Sequence, residues 1–428
     1  MSIKPDTGKM KILVVGSGGR EHTIIWKLSQ SPLVEKIYAA PGNGGISELA
    51  ECVPVAATDI DAMVDFALDN KIDLTFVAPD DPLALGMVDA LEAKGLKAFG
   101  PRKNAAIIEG SKVFAKELMK KYNIPTADYK TFSDSDEAVE YVRNRKCPIV
   151  IKAEGLALGK GVIIANTNDE AVAAVRDMMD GKKFGNAGNR IVVEQFLSGP
   201  EVSVLAFTDG KTIVPMVSAQ DHKRAYDGDK GLNTGGMGTF SPSRIYTPEL
   251  AQTCMKEIFL PTVEAMNCEG RTFKGVLYFG LMLTEDGVKV IEYNCRFGDP
   301  ETQVVLPRLK TDLAEILIAV VEERLGEINI EWHDNAAVCV VMASGGYPEK
   351  YEKGYEIFGI DDACGEENIT VFHAGTKKQD GKYITAGGRV LGVTATAPTL
   401  DEAIKDAYGA VEKINFKDAH YRRDIGVK

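Results

Sequence analysis

Three polar residues at alternating positions have the chemistry of a combined metal and carboxylate site. The stretch 288–301 reads VKVIEYNCRFGDPE and opens as a strand, because its first residues are largely β-branched and a turn precedes them. Side chains two apart on a strand share a face, so we expect Glu292, Asn294 and Arg296 to project together. A carboxylate beside an amide oxygen suits Mg²⁺, and an arginine can bind a carboxylate substrate through two donors. The alternative is a surface strand with alternating polar residues.

A glycine-rich loop between two apolar strands is the second candidate site. The strands Ile149–Ala153 and Val162–Ala165 flank EGLALGKG at 154–161, which predicts a hairpin whose tip can close over phosphates. Lys152 and Lys160 supply positive charge there. The loop is not a Walker sequence, because glycine rather than Ser or Thr follows the lysine and a strand rather than a helix comes next. A plain structural hairpin is the alternative.

Near its start, the chain has the strand, glycine turn and helix that begin a doubly wound α/β unit. An apolar strand runs into GSGG at 16–19, and a helix is expected over 21–29 with its N-terminus open to an anion. A dinucleotide fingerprint needs glycine where the chain has Glu21, so a phosphate loop is favoured. Apolar strands over 37–40 and 74–78 end in proline-rich turns at the edge where such sheets bind ligands. A purely structural turn is the alternative for each.

Composition excludes several classes of protein. At 428 residues the chain is too long for one ordinary core, so two to four domains are expected. The 50 basic and 62 acidic residues give a net charge of −12, which argues against nucleic-acid and acidic-membrane partners. The sequence has no signal-peptide-like start and no membrane-spanning stretch, and we expect a cytoplasmic protein. The seven cysteines form no CxxC pair, which disfavours a zinc site or a disulfide framework.

Two further segments carry expectations about structure. The apolar spacing over 103–122 predicts a single helix that leads into a second domain. Residues 220–238 are interpreted as a long, glycine-rich, charged loop that is either functional or disordered. Between them, EQFL at 194–197 ends a strand and can present backbone groups to an adenine, while a carboxylate binds ribose hydroxyls. Near the end, Thr399 and Glu402 form a predicted capping box at the start of a helix.

These features together resemble the ATP-grasp superfamily, in which ATP lies between two α+β lobes. GSGGREH near the start, QDHKR at 220–224, NTGGMG at 233–238, EYNCRFGDPE at 292–301 and FHAGT at 372–376 are similar, in order and spacing, to the phosphoribosylamine-glycine ligases of purine biosynthesis. The resemblance implies an α/β and α+β multidomain fold. Its parts are an N-terminal doubly wound parallel sheet for the amine substrate (9–110), a two-lobed ATP-grasp core (111–329) with a lid lobe at about 126–190, and a small mixed α/β C-terminal domain (330–428) that packs on the N-terminal one.

The resemblance also implies roles for individual residues. The expected ATP-binding residues are Lys112, Lys152, Glu154, Gly155, Gly159, Gly161, Glu194, Gln195, Leu197 and Glu201. The expected substrate-binding residues are Gly18, Gly19, Arg20, Asn43, Asp221 and Arg296, and those with catalytic roles are Arg296, Asp221 and Lys160. Glu292 and Asn294 are expected to hold Mg²⁺ or Mn²⁺. Many relatives in the superfamily place another metal-binding acid on the preceding strand, but residues 275–283 contain none.

The implied reaction is ATP-dependent ligation of glycine to 5-phosphoribosylamine through a glycyl phosphate. The expected partners are therefore these small molecules, and the sequence leaves the oligomeric state open, a monomer included. Three rivals remain at this level. They are an ATP-grasp ligase for another acid or amine, a nicotinamide-dependent dehydrogenase built on GSGGRE, and a non-catalytic nucleotide-binding module.

Overall fold

The N-terminal part is a parallel sheet covered on both faces, as the sequence predicted. The computed structural model describes residues 9–155, 161–181 and 185–427. The strand order is β3-β2-β1-β4-β5, so the order reverses beside β1 and the glycine loop follows β1 at the switch point. Successive side chains of β1 point to opposite faces of the sheet and pack in two different hydrophobic cores. Leu13 belongs to one core and Ile12 to the other. The elements are β1 (Met10–Gly16), α1 (Gly19–Leu28), β2 (Val34–Pro41), β3 (Glu51–Cys52), α2 (Ile60–Asp69), β4 (Leu74–Val77), α3 (Asp80–Leu85), α4 (Met87–Ala93) and β5 (Ala98–Phe99).

The connection to the next lobe is two helices, not the single helix predicted over 103–122. Helix α5 is Lys103–Gly110 and helix α6 is Lys112–Lys121. Ser111 between them has extended backbone angles (φ −134°, ψ 109°), and its hydroxyl accepts the Phe114 N–H as the N-cap of α6. The apolar spacing is continuous across this break, which is why the sequence pattern concealed it.

The predicted lid lobe is a four-stranded antiparallel sheet with two helices. Its strand order is β6-β9-β7-β8, and Ile149 opposite Ala165 sets the register of the predicted hairpin. The loop that joins this hairpin includes Gly159 and Lys160, which lie outside the described residues. The elements are β6 (Tyr129–Phe132), α7 (Ser135–Arg143), β7 (Ile149–Ala153), β8 (Val162–Ala165), α8 (Asn168–Met179) and β9 (Ile191–Gln195).

The second lobe is an antiparallel sheet of order β11-β10-β16-β17. The helical segment between Pro248 and Cys268 is an α–π–α sequence whose π-turn covers Met255–Phe259. The elements are β10 (Glu201–Thr208), β11 (Ile213–Pro215), β12 (Gln220–Asp221), β13 (Arg224–Tyr226), β14 (Lys230–Asn233), β15 (Gly238–Ser241), α9 (Pro248–Cys254), α10 (Leu260–Cys268), β16 (Gly275–Thr284), β17 (Gly287–Asn294), α11 (Thr302–Val305) and α12 (Leu313–Val321).

The interpretation of residues 220–238 as a long loop was wrong. Four short strands, β12 to β15, form there, and β13 pairs with β14 as a hairpin. Strands β12 and β15 instead extend the C-terminal sheet, whose order is β12-β15-β18-β22-β19, where β18 is Ala336–Ala343, β19 is Ile369–His373 and β22 is Arg389–Ala397. The strands are short and rich in glycine and charge, so propensity gave no signal for them. Pairing of β15 with the buried strand β18 stabilises the two that join the C-terminal sheet.

The C-terminal part is the small mixed α/β unit that was expected. Thr399 and Glu402 form the predicted capping box, and the helix they begin packs on β18 and β22. Within the described residues, no helix combines the length and apolar character needed to cross a membrane. The elements are β18 (Ala336–Ala343), α13 (Ile360–Ala363), β19 (Ile369–His373), β20 (Thr376–Gln379), β21 (Lys382–Thr385), β22 (Arg389–Ala397) and α14 (Leu400–Val411). The domain boundaries stay predictions.

Candidate active site

A β-bulge determines which face of β17 carries the candidate residues. Gly280 of β16 opposes Glu292, but the next residue, Leu281, opposes Val290, so Ile291 is an extra residue in the ladder. Buried positions in β17 are accordingly even-numbered before the bulge and odd-numbered after it. Strict alternation would have placed Glu292 on the buried face of the valines. The bulge turns this carboxylate and the polar residues after it away from the core.

The Glu292 carboxylate is paired with a lysine that sequence reasoning missed. Lys223 Nζ lies 3.1 Å from Glu201 Oε2 and 3.5 Å from Glu292 Oε1. The charge of Lys223 lowers the pKa of Glu292, so this carboxylate is ionised at neutral pH. Burial raises the pKa of nearby Asp221 to about 8, although the positive charge of Lys223 acts to lower it. The signal was present in QDHKR, where Lys223 is two residues from Asp221.

Arg296 is held by a second missed residue, Glu109. The Arg296 Nη2 atom donates to Glu109 Oε1 at 2.9 Å and to Asn294 Oδ1 at 3.3 Å. Glu109 Oε2 accepts the backbone N–H of Cys295 at 2.7 Å. The buried Nε of Arg296 has no hydrogen-bond partner among the described residues. The guanidinium is therefore fixed at one edge and has a donor left for a ligand.

Glu194 lies in a buried cluster with two lysines. Its carboxylate is 3.0 Å from Lys116 Nζ and 3.1 Å from Lys152 Nζ. Lys152 also donates to the carbonyl of Ile291, the residue displaced by the bulge, at 2.9 Å. Burial lowers the pKa of Lys116 to about 8, although the negative charge of Glu194 acts to raise it. These contacts join the lid sheet to β17, and Lys116 was not anticipated.

The base of the lid hairpin is tied to the start of α6. The backbone N–H of Lys112 donates to the Glu154 carbonyl, and Lys112 Nζ donates to the Gly155 carbonyl, both at 3.0 Å. Ser111 Oγ lies 3.1 Å from Glu154 Oε1. On the other strand, the Gly161 carbonyl accepts the N–H of Ala153 at 2.8 Å.

The segment after Glu194 crosses from the lid to the second lobe. Gln195 has an exposed side chain and donates its N–H to the Asp128 carbonyl at 2.8 Å. Leu197 is buried, and Glu201 follows at the start of β10 with its carboxylate on Lys223. This placement connects the predicted adenine segment to the predicted metal site.

The N-terminal loop is shaped by the residue that breaks the dinucleotide pattern. The Glu21 carboxylate accepts the Gly18 N–H at 2.5 Å and the Arg20 Nε–H at 2.6 Å. A side chain at Gly16 would meet the Glu21 side chain at 2.6 Å. Arg20 also donates to the Phe297 carbonyl at 3.2 Å, which brings this loop to the end of the candidate row. A Cβ at Gly19 would lie only 2.6 Å from the amide nitrogen of a core glutamine.

Asn43 has a different environment from the other predicted substrate residues. Its Nδ2 donates to the carbonyls of Ser17 and His373, at 2.8 and 2.9 Å. Its Oδ1 accepts the N–H groups of residues 45 and 46. The side chain therefore makes four hydrogen bonds, which link the glycine loop to the C-terminal unit and use its full capacity.

The C-terminal unit contributes an arginine next to the site. Arg389 Nη2 lies 3.1 Å from Asp299 Oδ2, and Nη1 donates to the carbonyls of Asp299 and Gly235 at 2.8 and 2.7 Å. A Cβ at Gly236 would meet Pro300 at 2.4 Å. The NTGGMG and FGDPE motifs are thus packed together through Arg389, which no sequence motif marked.

The donor set near β17 suits a hard cation held by few protein ligands. Across the described ranges, no group of three or more His, Cys, Asp and Glu side chains has metal-binding geometry. Gly280 faces Glu292 from the neighbouring strand and offers no carboxylate. A cation here would take Glu292, Asn294 and oxygens from solvent or substrate, as Mg²⁺ does.

Sequence profiles of one family cover most of the chain. The N domain of phosphoribosylglycinamide synthetase matches residues 10–109, its ATP-grasp (A) domain matches 110–302 and its C domain matches 337–428. The chain belongs to the phosphoribosylglycinamide synthetase family. The resemblance seen in the five motifs is thereby confirmed, and the dehydrogenase alternative is set aside.

Individual members of the phosphoribosylglycinamide synthetase family are similar over the full length. The phosphoribosylamine–glycine ligase of Halalkalibacterium halodurans is 52% identical over 419 residues, which are 98% of this chain and 97% of the relative. The Escherichia coli K12 enzyme of that name is 50% identical over 423 residues, 97% and 98% of the two chains.

Solved structures agree with the fold. The crystal structure of phosphoribosylamine–glycine ligase from Thermotoga maritima has a TM-score of 0.83 and 34% identity, and covers 97% of this chain and 100% of its own. Biotin carboxylase from Campylobacter jejuni, at 12% identity, has a TM-score of 0.76 over 98% of this chain and 94% of its own, and shows the shared fold alone. The ATP-grasp architecture predicted from the sequence is confirmed.

Proposed function

We propose that this chain ligates glycine to 5-phosphoribosylamine, with ATP converted to ADP and phosphate. The observation that carries the proposal is the row after the bulge, in a chain of this family. An ionised carboxylate on Glu292, an amide oxygen on Asn294 and a guanidinium on Arg296 lie in sequence on one face. This is the donor set that a metal–phosphate complex and a carboxylate substrate need side by side.

Glu292 and Asn294 fit Mg²⁺ or Mn²⁺. The Glu292 carboxylate is charged and is only loosely compensated by Lys223 at 3.5 Å. When bound, the ion would neutralise charge on the phosphate oxygens and orient them. The positions of Lys152 and Lys112 supply further positive charge from the chain itself, and Lys160 is proposed for the same role from the family motif.

Arg296 is proposed to hold the glycine carboxylate. Its Nη2 atom donates to Glu109 and Asn294, whereas its buried Nε has no hydrogen-bond partner among the described residues and is the donor proposed for the ligand. A carboxylate oxygen of glycine held there attacks the γ-phosphorus of ATP, and the bond from that phosphorus to the bridging oxygen breaks to release ADP. Positioning and charge neutralisation account for catalysis, so no nucleophilic side chain is required.

The amine then completes the ligation. The nitrogen of phosphoribosylamine attacks the glycyl carbonyl carbon, the carbon–oxygen bond to phosphate breaks, and inorganic phosphate leaves. Asp221 is proposed, from its motif, to take the proton lost by the nitrogen. Gly18, Gly19 and Arg20 are proposed to bind this substrate, since Arg20 reaches the end of the candidate row.

The nucleotide is proposed to lie between the lid sheet and the second lobe. Gln195 and Leu197 lie where the chain crosses between the lobes and would contact the adenine, and Glu201 would bind the ribose. Glu194 is proposed to act through the lysines it orients, because its carboxylate is buried against Lys116 and Lys152. Glu154, Gly155, Gly159 and Gly161 complete the proposed phosphate lid.

Release of ADP tests this function. The purified chain is incubated with ATP, Mg²⁺, glycine and phosphoribosylamine, and each substrate is omitted in turn. We expect sustained ADP release only when both are present. Release with a different acid in place of glycine, and none with glycine, would indicate another ATP-grasp ligase. Binding of ATP without turnover under any combination would indicate a nucleotide-binding module.

A further inference from the structure

Glu109 is a buried acid whose two oxygens are both directed at the candidate row. One oxygen accepts the Arg296 guanidinium at 2.9 Å and the other accepts the Cys295 N–H at 2.7 Å. Its side chain is 7% exposed, and that of Arg296 is 19% exposed. The carboxylate therefore binds both the backbone and the side chain of the same short segment. Such an arrangement fixes the orientation of the guanidinium as well as its position.

The position of Glu109 in its helix is unfavourable without this partner. It lies in the last turn of α5, where the helix macrodipole disfavours an acid. Burial there also raises the pKa of its carboxyl, and the charge of Arg296 opposes that rise. Neither the helix nor the surrounding core accounts for an acid at this place. The contact with Arg296 does.

The remaining donors of Arg296 show what Glu109 achieves. Nη1 donates to the Phe297 carbonyl at 3.3 Å, and Nη2 is taken by Glu109 and Asn294. Both terminal nitrogens are thus anchored to the protein, while the Nε edge is not. Loss of Glu109 would leave Nη2 held by Asn294 alone among the described residues, so the guanidinium would be free to rotate and its Nε edge would lose its orientation.

The helix break fixes Glu109 relative to the lid. Ser111, two residues after Glu109, is both the C-cap of α5 and the N-cap of α6. Its hydroxyl donates to Glu154 Oε1 at 3.1 Å, at the base of the hairpin. Lys112 binds the same hairpin through its backbone and its side chain. The carboxylate that orients Arg296 is thus only two residues from the anchor of the lid.

We propose that Glu109 is a positioning residue that orients Arg296 to receive the carboxylate of the substrate. The inference rests on the proposed function, because it assigns glycine to Arg296. It adds a residue from outside the five motifs and predicts a defect that is specific to one substrate.

The test is steady-state kinetics of Glu109→Gln and Glu109→Asp with each substrate varied. Gln keeps an acceptor for the Cys295 N–H but loses the charge, and Asp keeps the charge but shortens its reach. We expect the glycine KM to rise at least tenfold in Glu109→Gln and by a smaller factor in Glu109→Asp, while the ATP KM stays within twofold. Glu269→Gln is the matched control. It removes an acid that pairs with Lys121 at 2.6 Å and that takes no part in the candidate site, so its kinetic constants should equal those of the wild type.

A double-mutant cycle separates positioning from a merely structural role. In an Arg296→Lys background, Glu109→Gln should change the glycine KM less than twofold, because the geometry it maintains is already lost. A glycine KM within twofold of wild type in Glu109→Gln, or equal rises for glycine and ATP, would overturn the inference. If Glu109→Gln does not fold, the same criteria apply to Glu109→Asp. An inactive wild type would instead refute the proposed function, so the two failures are distinguishable.

Discussion

Replacing Gly280 with alanine perturbs the candidate metal site at its most crowded point. A Cβ there would lie 2.8 Å from Glu292 Cγ and 3.3 Å from Ile291 Cγ1. Non-bonded carbons are comfortable at about 3.5–4.0 Å, so the Glu292 side chain must shift by about 1 Å. A misplacement of that size costs about 100-fold in rate, or about 2.7 kcal/mol of activation free energy. The overpacking itself should cost only about 1–3 kcal/mol of stability.

The assay is kcat/KM for ligation at a series of Mg²⁺ concentrations. We expect Gly280→Ala to lower kcat/KM about 100-fold at fixed Mg²⁺, with part of the loss recovered as Mg²⁺ rises. Gly409→Ala is the control, because Gly409 lies inside α14 and a Cβ there would meet nothing within 4 Å beyond its chain neighbours and the backbone of its own helix. Its activity should be unchanged. Wild-type kinetics in Gly280→Ala would refute the view that this glycine makes room for a metal ligand.

Three further predictions concern the metal site, a buried histidine and the C-terminal contact. Glu292→Ala should lower turnover at least about 100-fold with little change in Tm, because it removes the charged ligand of the proposed ion, and full activity at ordinary Mg²⁺ would contradict this. Burial lowers the pKa of His22 from 6.5 to about 3, so its neutral form stabilises the fold above pH 6.5 and this contribution is lost as pH falls. At pH 5 the free energy of unfolding is thereby lowered by about 2 kcal/mol. His22→Asn should therefore show a smaller fall in Tm between pH 7 and pH 5 than the wild type, and an equal fall would disprove the assignment. Arg389→Met should cost about 3 kcal/mol, seen as a fall in Tm, and adding Asp299→Asn should recover part of it, whereas additive losses would argue against the pair.

The sequence predicted most of the architecture because its periodicities are local. The parallel sheet, the lid hairpin and the capping box at Thr399 all follow from patterns within about a dozen residues. The break at Ser111 was missed because an N-cap serine interrupts the helix without interrupting its apolar spacing. Strands β12 and β15 were missed because β15 pairs with β18, about a hundred residues later in the chain, and β12 pairs with β15. The hairpin of β13 and β14 was missed because its short strands are rich in glycine and charge.

The candidate site was predictable only where its residues are close together in the sequence. Glu292, Asn294 and Arg296 were identified as a row, but simple alternation could not show that the bulge at Ile291 puts them on an accessible face. Glu109 was not found because it reaches Arg296 across 187 positions of sequence, with no motif around it. Sequence spacing defines neighbours along a strand, whereas contacts between elements require the assembled fold.

The most direct test of the central claim is the glycine KM of Arg296→Lys. The substrate carboxylate is assigned to the Nε edge of the Arg296 guanidinium, and lysine has no planar group that could bind Glu109 and Asn294 at one edge while it donates to a ligand from another. We expect the glycine KM to rise at least about tenfold while the ATP KM stays within about twofold, and the variant to keep the Tm of the wild type within a few degrees. A glycine KM equal to that of the wild type would show that Arg296 does not bind the carboxylate, and the proposed arrangement of substrates along β17 would be wrong.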